Sequence, residues 1–456
     1  MIELTGPVHL VGIGGIHMSA IAQLLLERGV AVSGSDLTLS PLTAKLERLG
    51  ARIAQGHASA NLGDPALVVI TAASQPDNPE IVAAKARGIP VILRAEMVAR
   101  LMEGKRVIAV SGAHGKTTTS SLIAFILHNA GLRPMYLLGG ESIDLDGHAA
   151  WGEGDLCVVE ADEYKRAFHE YSPAVAVITN VEADHLDYFG TADAYSEAFA
   201  VFARRIIEGG RLIVCADDLG ARQVSEQVED APIQIEWYGV EGSRYWSARD
   251  VQAGVEGGSF TLLRGGAALG EIATPNPGHA FPLNILGASA ACLGLGVPFA
   301  VVRESVAAFR GAKRRFQLTG EAGGRTVMDD YAHHPAEVRT TIATARRRFP
   351  DRRIIGVFQP HTYSRTALLW DEWLGCWAGL DGLIVLETYA ARELPSAGRG
   401  AAELAAAIRP ALASYAKDFD EAASQAVARS RPGDVIMTIG AGDVVEVGPR
   451  ILEALQ

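Results

Sequence analysis

The sequence predicts an α/β protein of three domains, and three observations predict it. Strand-like and helix-like segments alternate through residues 8–93 and again after Ala312, the rhythm of parallel sheets covered by helices. Between those blocks a short apolar strand, Arg106–Val110, runs into Gly112-Ala-His-Gly-Lys-Thr-Thr-Thr119 and then a helical run. A glycine turn that opens a helix binds anionic oxygens through its backbone N–H groups. From Ile233 to Ala273 the chain becomes glycine-rich and alternating, which reads as a small antiparallel sheet. The expected architecture is a Rossmann-like N-terminal domain over 1–103, a central P-loop ATPase-like domain with a small antiparallel sheet over 104–311, and a Rossmann-like C-terminal domain over 312–456.

Each block is justified by its own pattern. In the first, strands are expected at Val8–Ile13, Val30–Gly34, Ala66–Thr71 and Val91–Leu93, with helices at Met18–Gly29, Leu42–Leu49 and Pro79–Arg87. In the second, strands at Asp155–Val159, Ala174–Thr179 and Arg211–Cys215 precede helices at Asn284–Leu295 and Pro298–Phe309. In the third, strands are expected at Thr326–Asp329, Ile354–Phe358, Gly382–Glu387 and Asp434–Thr438. The alanine-rich run Ala401–Ile408 reads as a helix that stops before Pro410.

Bulk properties bound the function. The chain has 456 residues, 48% apolar and 21% charged, as a soluble globular protein does. A net charge of −12 argues against a nucleic-acid binder, so any phosphate site is a local pocket of positive potential. The four cysteines lack CxxC spacing and read as buried thiols. No signal peptide and no membrane-length apolar run is evident, so no membrane partner and a cytoplasmic location are expected. Monomer and homodimer both remain open.

The chemistry-bearing residues cluster at strand ends. Lys116 would neutralise β/γ-phosphate charge, and the Thr117 hydroxyl would reach a Mg²⁺. Val110 replaces the first glycine of the full phosphate-loop pattern. Gly12-Ile-Gly-Gly-Ile-His17 follows the first strand, with Asp36 21 residues beyond Gly15. That spacing suits an acidic residue on a ribose hydroxyl, so NAD(P) and a nucleotide sugar both remain open. Glu160-Ala-Asp-Glu163 and Thr179-Asn-Val-Glu-Ala-Asp-His-Leu-Asp187 end two further strands. Glu160 and His185, with Glu182, Asp184 and Asp187 nearby in sequence, could seat one or two metals. Lys313-Arg-Arg-Phe316 would supply phosphate or ribose contacts. His333 and His334 in Asp329-Asp-Tyr-Ala-His-His-Pro335 could bind metal, orient a carboxylate or cap a helix, and His361 and Arg365 in Phe358-Gln-Pro-His-Thr-Tyr-Ser-Arg365, facing the same crevice as His333, suit a carboxylate pocket.

Taken in order, GIGGIxMSxIA, GxHGKTTT, EADE, ITNxExDHLD, KRRF, DDYAHHP and QPHxYxRT resemble the Mur ligases, ATP-dependent amide ligases of peptidoglycan precursor synthesis. The resemblance runs from Val8 to Asp443. It implies that ATP and Mg²⁺ are used to join L-alanine to the lactyl carboxylate of UDP-N-acetylmuramate through an acyl phosphate. A branch that adds a recycled tripeptide to the same sugar is the alternative, and a catalytically weak nucleotide-binding regulator is a third reading. The resemblance assigns Gly12, Gly14, Gly15, Ser19 and Asp36 to the sugar nucleotide. Gly112, His114, Gly115, Lys116, Thr117, Thr118, Asn284, Arg315 and Asp330 go to ATP. Thr117, Glu160 and His185 go to the metal, and His333, His361 and Arg365 to the amino acid. Lys116, Glu160 and His185 are the expected catalytic set. The chain departs from the family pattern in several places. Ala280 and Phe281 stand in the adenine segment, with His279 one place early. Lys165 and Thr362 replace a common aspartate and arginine, His17 a usual glycine, and Ala200 a lysine that many relatives carbamylate.

Overall fold

The computed structural model describes residues 6–145, 147–182, 185–240, 245–254, 257–275, 280–391, 393–408 and 412–456. Three sheets organise them. The first contains β1 (Val8–Val11), β2 (Val32–Asp36), β3 (Arg52–Gln55), β4 (Leu67–Ile70) and β5 (Val91–Leu93). Its order is β3-β2-β1-β4-β5, and every pair is parallel. The order reverses beside β1, so the turn after β1 opens onto the crevice where such sheets bind ligands.

The second sheet contains β6 (Arg106–Ser111), β7 (Met135–Ser142), β8 (Gly147–Ala150), β9 (Leu156–Glu160), β10 (Val175–Ile178), β11 (Arg211–Cys215), β12 (Gln234–Gly239), β13 (Trp246–Gly254), β14 (Gly257–Arg264) and β15 (Ala267–Thr274). Its order is β15-β14-β13-β12-β11-β10-β6-β9-β7-β8. The expected small antiparallel sheet is the β13–β15 meander, and it extends the central sheet instead of standing apart. β14 and β15 are joined by Gly265 and Gly266, at φ 55° and 82°, the positive-φ pair that a two-residue hairpin requires. β6 lies between β9 and β10, with Val110 level with Glu160 and Ser111 level with Ile178. The carboxyl ends of these three strands therefore share one edge.

The third sheet contains β16 (Gln317–Ala322), β17 (Arg325–Asp330), β18 (Ile354–Phe358), β19 (Gly382–Leu386), β20 (Ala413–Ala416) and β21 (Val435–Ile439), in the order β16-β17-β21-β18-β19-β20. Only β16 runs antiparallel. Alternate residues serve opposite faces. Ile354 and Phe358 join one core and Ile355 and Val357 the other, as the period of two demands. Asp330 and Phe358 are both level with Ile439, so the turns after β17 and β18 leave the same edge.

The chain divides into two compact units, the first holding β1–β12 and the second β16–β21. Within the first unit one continuous core runs from Val8 and Leu10 through Val159 to Val228. The helix Ile16–Glu27 packs on β7 and β8, which ties the first sheet to the second. Gln23 Nε2 donates to Ala149 O at 2.7 Å across that seam. No helix among the described residues is long and apolar enough to cross a membrane.

Candidate active site

The phosphate loop is built by close approach. Gly112 and Gly115 sit at φ 140° and 83°, in the region that favours glycine. A Cβ on Gly112 would lie 2.1 Å from Thr179 Oγ1, and one on Gly115 would lie 2.5 Å from Asn284 Oδ1. Asn284 thus packs over the loop from the helix Leu283–Gly294. Asn180 clamps the loop from the end of β10. Its Oδ1 accepts from His114 N at 2.8 Å, and its Nδ2 donates to His114 O at 2.9 Å. Thr179 Oγ1 donates to the same carbonyl at 2.6 Å. The helix Lys116–Asn129 follows, with Thr117 buried and Thr118 half-buried in its first turn.

Lys116 folds back over its own loop. Nζ donates to Gly112 O at 2.5 Å and Ala113 O at 3.2 Å, and lies 3.0 Å from Glu163 Oε2. Burial opposes its charge, but Glu163, Glu160 and Asp162 outweigh burial and raise the ammonium above an ordinary lysine. Burial in turn raises the Glu163 carboxyl. Desolvation opposes the Asp162 charge too, yet Arg94, His17 and Lys116 hold it below the usual aspartate value. Arg94 Nη2 donates to Asp162 Oδ2 at 2.8 Å, a charged contact between the segment after β5 and the segment after β9.

Glu160 ends β9 and is 9% exposed. Its Oε2 accepts from Gly139 N at 3.1 Å. A Cβ on Gly139 would lie 2.2 Å from Oε1, so that cradle exists because the residue is glycine. Hard oxygens from Glu160 and Thr117 beside a phosphate loop fit Mg²⁺, which takes one or two carboxylates plus phosphate oxygens. His185 offers nitrogen, a less usual donor for that ion. Its ring packs on Tyr164, 4.8 Å between centroids. Glu182 pairs with His114 at 3.6 Å. Asp184 and the side chain of Asp187 lie outside the described residues, and among those described no cluster of three or more His, Cys, Asp or Glu is set to hold a metal. The sequence reading of a two-metal seat therefore gains no support.

The first glycine turn is shaped by Asp36. Its Oδ2 accepts from Gly14 N at 2.9 Å, and a Cβ on Gly14 would lie 3.0 Å from that atom. Gly12 adopts φ 79°, and Gly15 caps the helix Ile16–Glu27. Ser19, expected at the sugar nucleotide, faces the seam with β8. It is 1% exposed, its hydroxyl donates to Ile16 O, and His148 Nε2 lies 3.0 Å away. It fastens the helix to β8. The sequence reading also missed Glu80. This buried carboxylate receives Ser35 Oγ at 2.5 Å and Asn61 Nδ2 at 2.8 Å. Burial opposes its charge, but bonds from His9, Ser35 and Asn61 win and hold it at about 2.

In the second unit the structure brings His333, His361 and Arg365 together. His333 and His361 have ring centroids 5.9 Å apart, and Arg365 Nη1 lies 3.3 Å from His361 Nδ1. Tyr389 stacks on His361 at 5.4 Å, and its N donates to Pro360 O. Glu393 accepts from Thr362 Oγ1 at 2.8 Å, Ser364 N at 2.9 Å and Ser364 Oγ, which folds the turn after β18 around one carboxylate. Thr362 thus occupies its place as part of that clamp. Arg315 lies over the Tyr331 ring at 5.2 Å and makes no hydrogen bond or ion pair among the described residues. Its neighbour Arg314 is committed to Asp329 at 3.3 Å. Asp330, expected at ATP, is held by its surroundings. It is 2% exposed and accepts from Phe316 N, Ala332 N and Thr341 Oγ1 at 2.8–3.0 Å. Its carboxylate builds the turn after β17. His279 lies outside the described residues, while Ala280 adopts φ 49°.

Comparison with known proteins agrees with this arrangement. Residues 7–106 match the Mur ligase family, catalytic domain. Residues 110–292 match the Mur ligase middle domain, and 314–442 the Mur ligase, glutamate ligase domain. The UDP-N-acetylmuramate–L-alanine ligase of Saccharopolyspora erythraea is 44% identical over 98% of this chain and 93% of its own length. The ligase of the same name from Solidesulfovibrio magneticus is 41% identical over 98% of both. The crystal structure of UDP-N-acetylmuramate-alanine ligase from Thermotoga maritima superposes with a TM-score of 0.84 at 29% identity, covering 98% of each chain. A murein peptide ligase from Psychrobacter arcticus follows at TM-score 0.76 and 26% identity, covering 99% of this chain and 98% of its own. A phosphate loop at the centre of the second sheet, two further α/β sheets and relatives matched end to end lead to one conclusion: the chain belongs to the Mur ligase family and is an ATP-dependent ligase.

Proposed function

We propose that this protein joins L-alanine to the lactyl carboxylate of UDP-N-acetylmuramate, with ATP and Mg²⁺, in peptidoglycan precursor synthesis. The end-to-end likeness at 44% identity to a ligase of that name carries the reading. Residues 1–103 are assigned to the sugar nucleotide, 104–311 to ATP and 312–456 to the amino acid. Gly12, Gly14, Gly15 and Asp36 form the turn for the sugar nucleotide. Gly112, His114, Gly115, Lys116, Thr117, Thr118 and Asn284 form the ATP loop, with Arg315 reserved for phosphate. Thr117 and Glu160 would hold Mg²⁺, with His185 as a further candidate; bound there, the ion would neutralise phosphate charge.

The chemistry follows from what a carboxylate lacks. It resists attack by an amine, and its oxygen leaves poorly. Transfer of the γ-phosphoryl group to the lactyl carboxylate gives an acyl phosphate whose carbonyl accepts the amine and whose phosphate departs. Such transfer needs positioning and charge neutralisation more than covalent help. Lys116 supplies charge at the transferring group. It reaches that task by exchanging Gly112 O and Ala113 O for phosphate oxygens, while Glu163 keeps its ammonium protonated. His361 and Arg365 take the amino-acid carboxylate.

The test is phosphate release by the purified protein with ATP, Mg²⁺ and UDP-N-acetylmuramate, comparing L-alanine, glycine, L-serine and the tripeptide. Turnover with L-alanine is expected. Turnover confined to the tripeptide would move the chain to the recycling branch, and ATP binding with no turnover on any acceptor would make it a regulator.

A further inference from the structure

The two pocket histidines carry their ring protons on different nitrogens. Arg365 can only donate hydrogen bonds. Its Nη1 lies 3.3 Å from His361 Nδ1, so that nitrogen is bare and the proton of the neutral ring sits on Nε2. His333 is the reverse. Its Nδ1 lies 3.2 Å from Tyr331 O and 3.3 Å from Glu337 Oε2. Both are acceptors, so Nδ1 carries the proton and Nε2 is bare. Neither Nε2 makes a hydrogen bond among the described residues, and neither is sealed from solvent. One ring therefore presents a donor and the other an acceptor.

We infer that these opposite tautomers read the two charged ends of the incoming α-amino acid, and that Nε2 of His333 takes the proton its ammonium must lose. The inference rests on the reading of this pocket as the amino-acid site. His361 Nε2–H and the Arg365 guanidinium suit the carboxylate, and His333 Nε2 suits the ammonium. In the step itself one N–H bond of the ammonium breaks and its electron pair stays on nitrogen. The proton passes to His333 Nε2. The freed pair forms the C–N bond as the bond from the carbonyl carbon to the phosphate oxygen breaks. The second proton that nitrogen loses leaves with phosphate.

The groups around His333 support this use. Glu337 from its own helix favours the imidazolium, and the Tyr331 carbonyl keeps Nδ1–H in place. Arg365 and Arg315, from the turns after β18 and before β16, oppose it, and His361 stands edge-on. Burial is the largest influence and keeps the resting ring neutral. Burial, Arg365 and His333 likewise bring His361 down to about 4, so it stays neutral while it donates.

The test compares L-alanine with hydroxylamine, a nucleophile that is uncharged at pH 7 and needs no base. Purified parent and His333→Gln protein are given ATP, Mg²⁺ and UDP-N-acetylmuramate with each acceptor. Loss of a positioned base costs about 10²- to 10⁴-fold. The variant should lose at least about 100-fold with L-alanine while forming hydroxamate at close to the parent rate, and its residual L-alanine rate should climb with pH. Equal losses with both acceptors, or an L-alanine rate near the parent's, would overturn the base. His361→Ala should instead raise KM for L-alanine more than it lowers kcat; a pure kcat loss would overturn the carboxylate half. If the parent forms hydroxamate but no L-alanine product, the functional reading fails and takes the inference with it.

Discussion

At the scale of single residues, buried charge decides most outcomes. Lys116 and Glu163 form a pair in which Glu163 is 2% exposed. Removing one member of a buried pair costs about 3–5 kcal/mol because the other is stranded. Lys116→Met should cut ligation by about 10³-fold, as loss of a charge-stabilising donor does, and should lower stability in urea. Adding Glu163→Gln should restore most of the stability and none of the activity. Recovery of activity in the double variant would remove Lys116 from the chemistry. Acid sensitivity has a definite sign. His17 is held at about 3, first by burial and then by Arg94, and His361 at about 4. Below an ordinary histidine value near 6.5 the unfolded chain binds protons that these native rings refuse. Each should therefore cost about 1.4 kcal/mol per pH unit as pH falls from about 6.5 towards its native value. Denaturant melts of His17→Gln should show a shallower loss over that range; an unchanged slope would contradict the burial of this ring. Ser19 and Asp330 belong to this scale too. Their residue types suited ligands, but the bonds that neighbours make to a hydroxyl or carboxylate are invisible until the neighbours are placed.

At the scale of elements, the strand ends matter more than the strands. The central strands β1, β6, β10, β18 and β21 are apolar runs and were legible as such. Arg52–Gln55 and Gln317–Ala322 were not, because edge strands bury little and carry little pattern. Met135–Ser142 escaped for another reason: Gly139 and Gly140 interrupt its pattern, and Gly139 is glycine to admit Glu160. The phosphate loop was legible from Gly112, Gly115 and Lys116, but its clamp was not. Asn180 lies 66 residues from His114, and only the pairing of β10 with β6 makes them neighbours. Asn180→Ala strands the His114 amide and should weaken ATP binding by about tenfold, the range for a buried donor left unsatisfied. Calorimetric titration should show that loss with ATP and none with UDP-N-acetylmuramate. Equal weakening of both ligands would mean that the clamp supports the whole unit and not the loop.

For the whole molecule, the cores predict how it comes apart. The first two sheets share one hydrophobic core, and the third sheet is enclosed by two of its own. Scanning calorimetry should show two transitions, with the first and second sheets melting together. UDP-N-acetylmuramate at about 100 times its Kd should stabilise the first unit by about 2.7 kcal/mol and move one transition only. Three separate transitions would mean that the seam at Ser19–His148 and Gln23–Ala149 is not cooperative.

The sequence by itself determined the α/β class, the phosphate loop, the order of the strand-end motifs and hence the family. These are local properties: hydrophobic period, glycine at positive φ, and a lysine one residue beyond the turn. Only the tertiary structure decided what each candidate touches. It bonded Ser19 to His148, paired Lys116 with Glu163 and set Asn180 against His114. Each of those outcomes depends on a partner distant in sequence, and a hydrogen bond is fixed by distance in space.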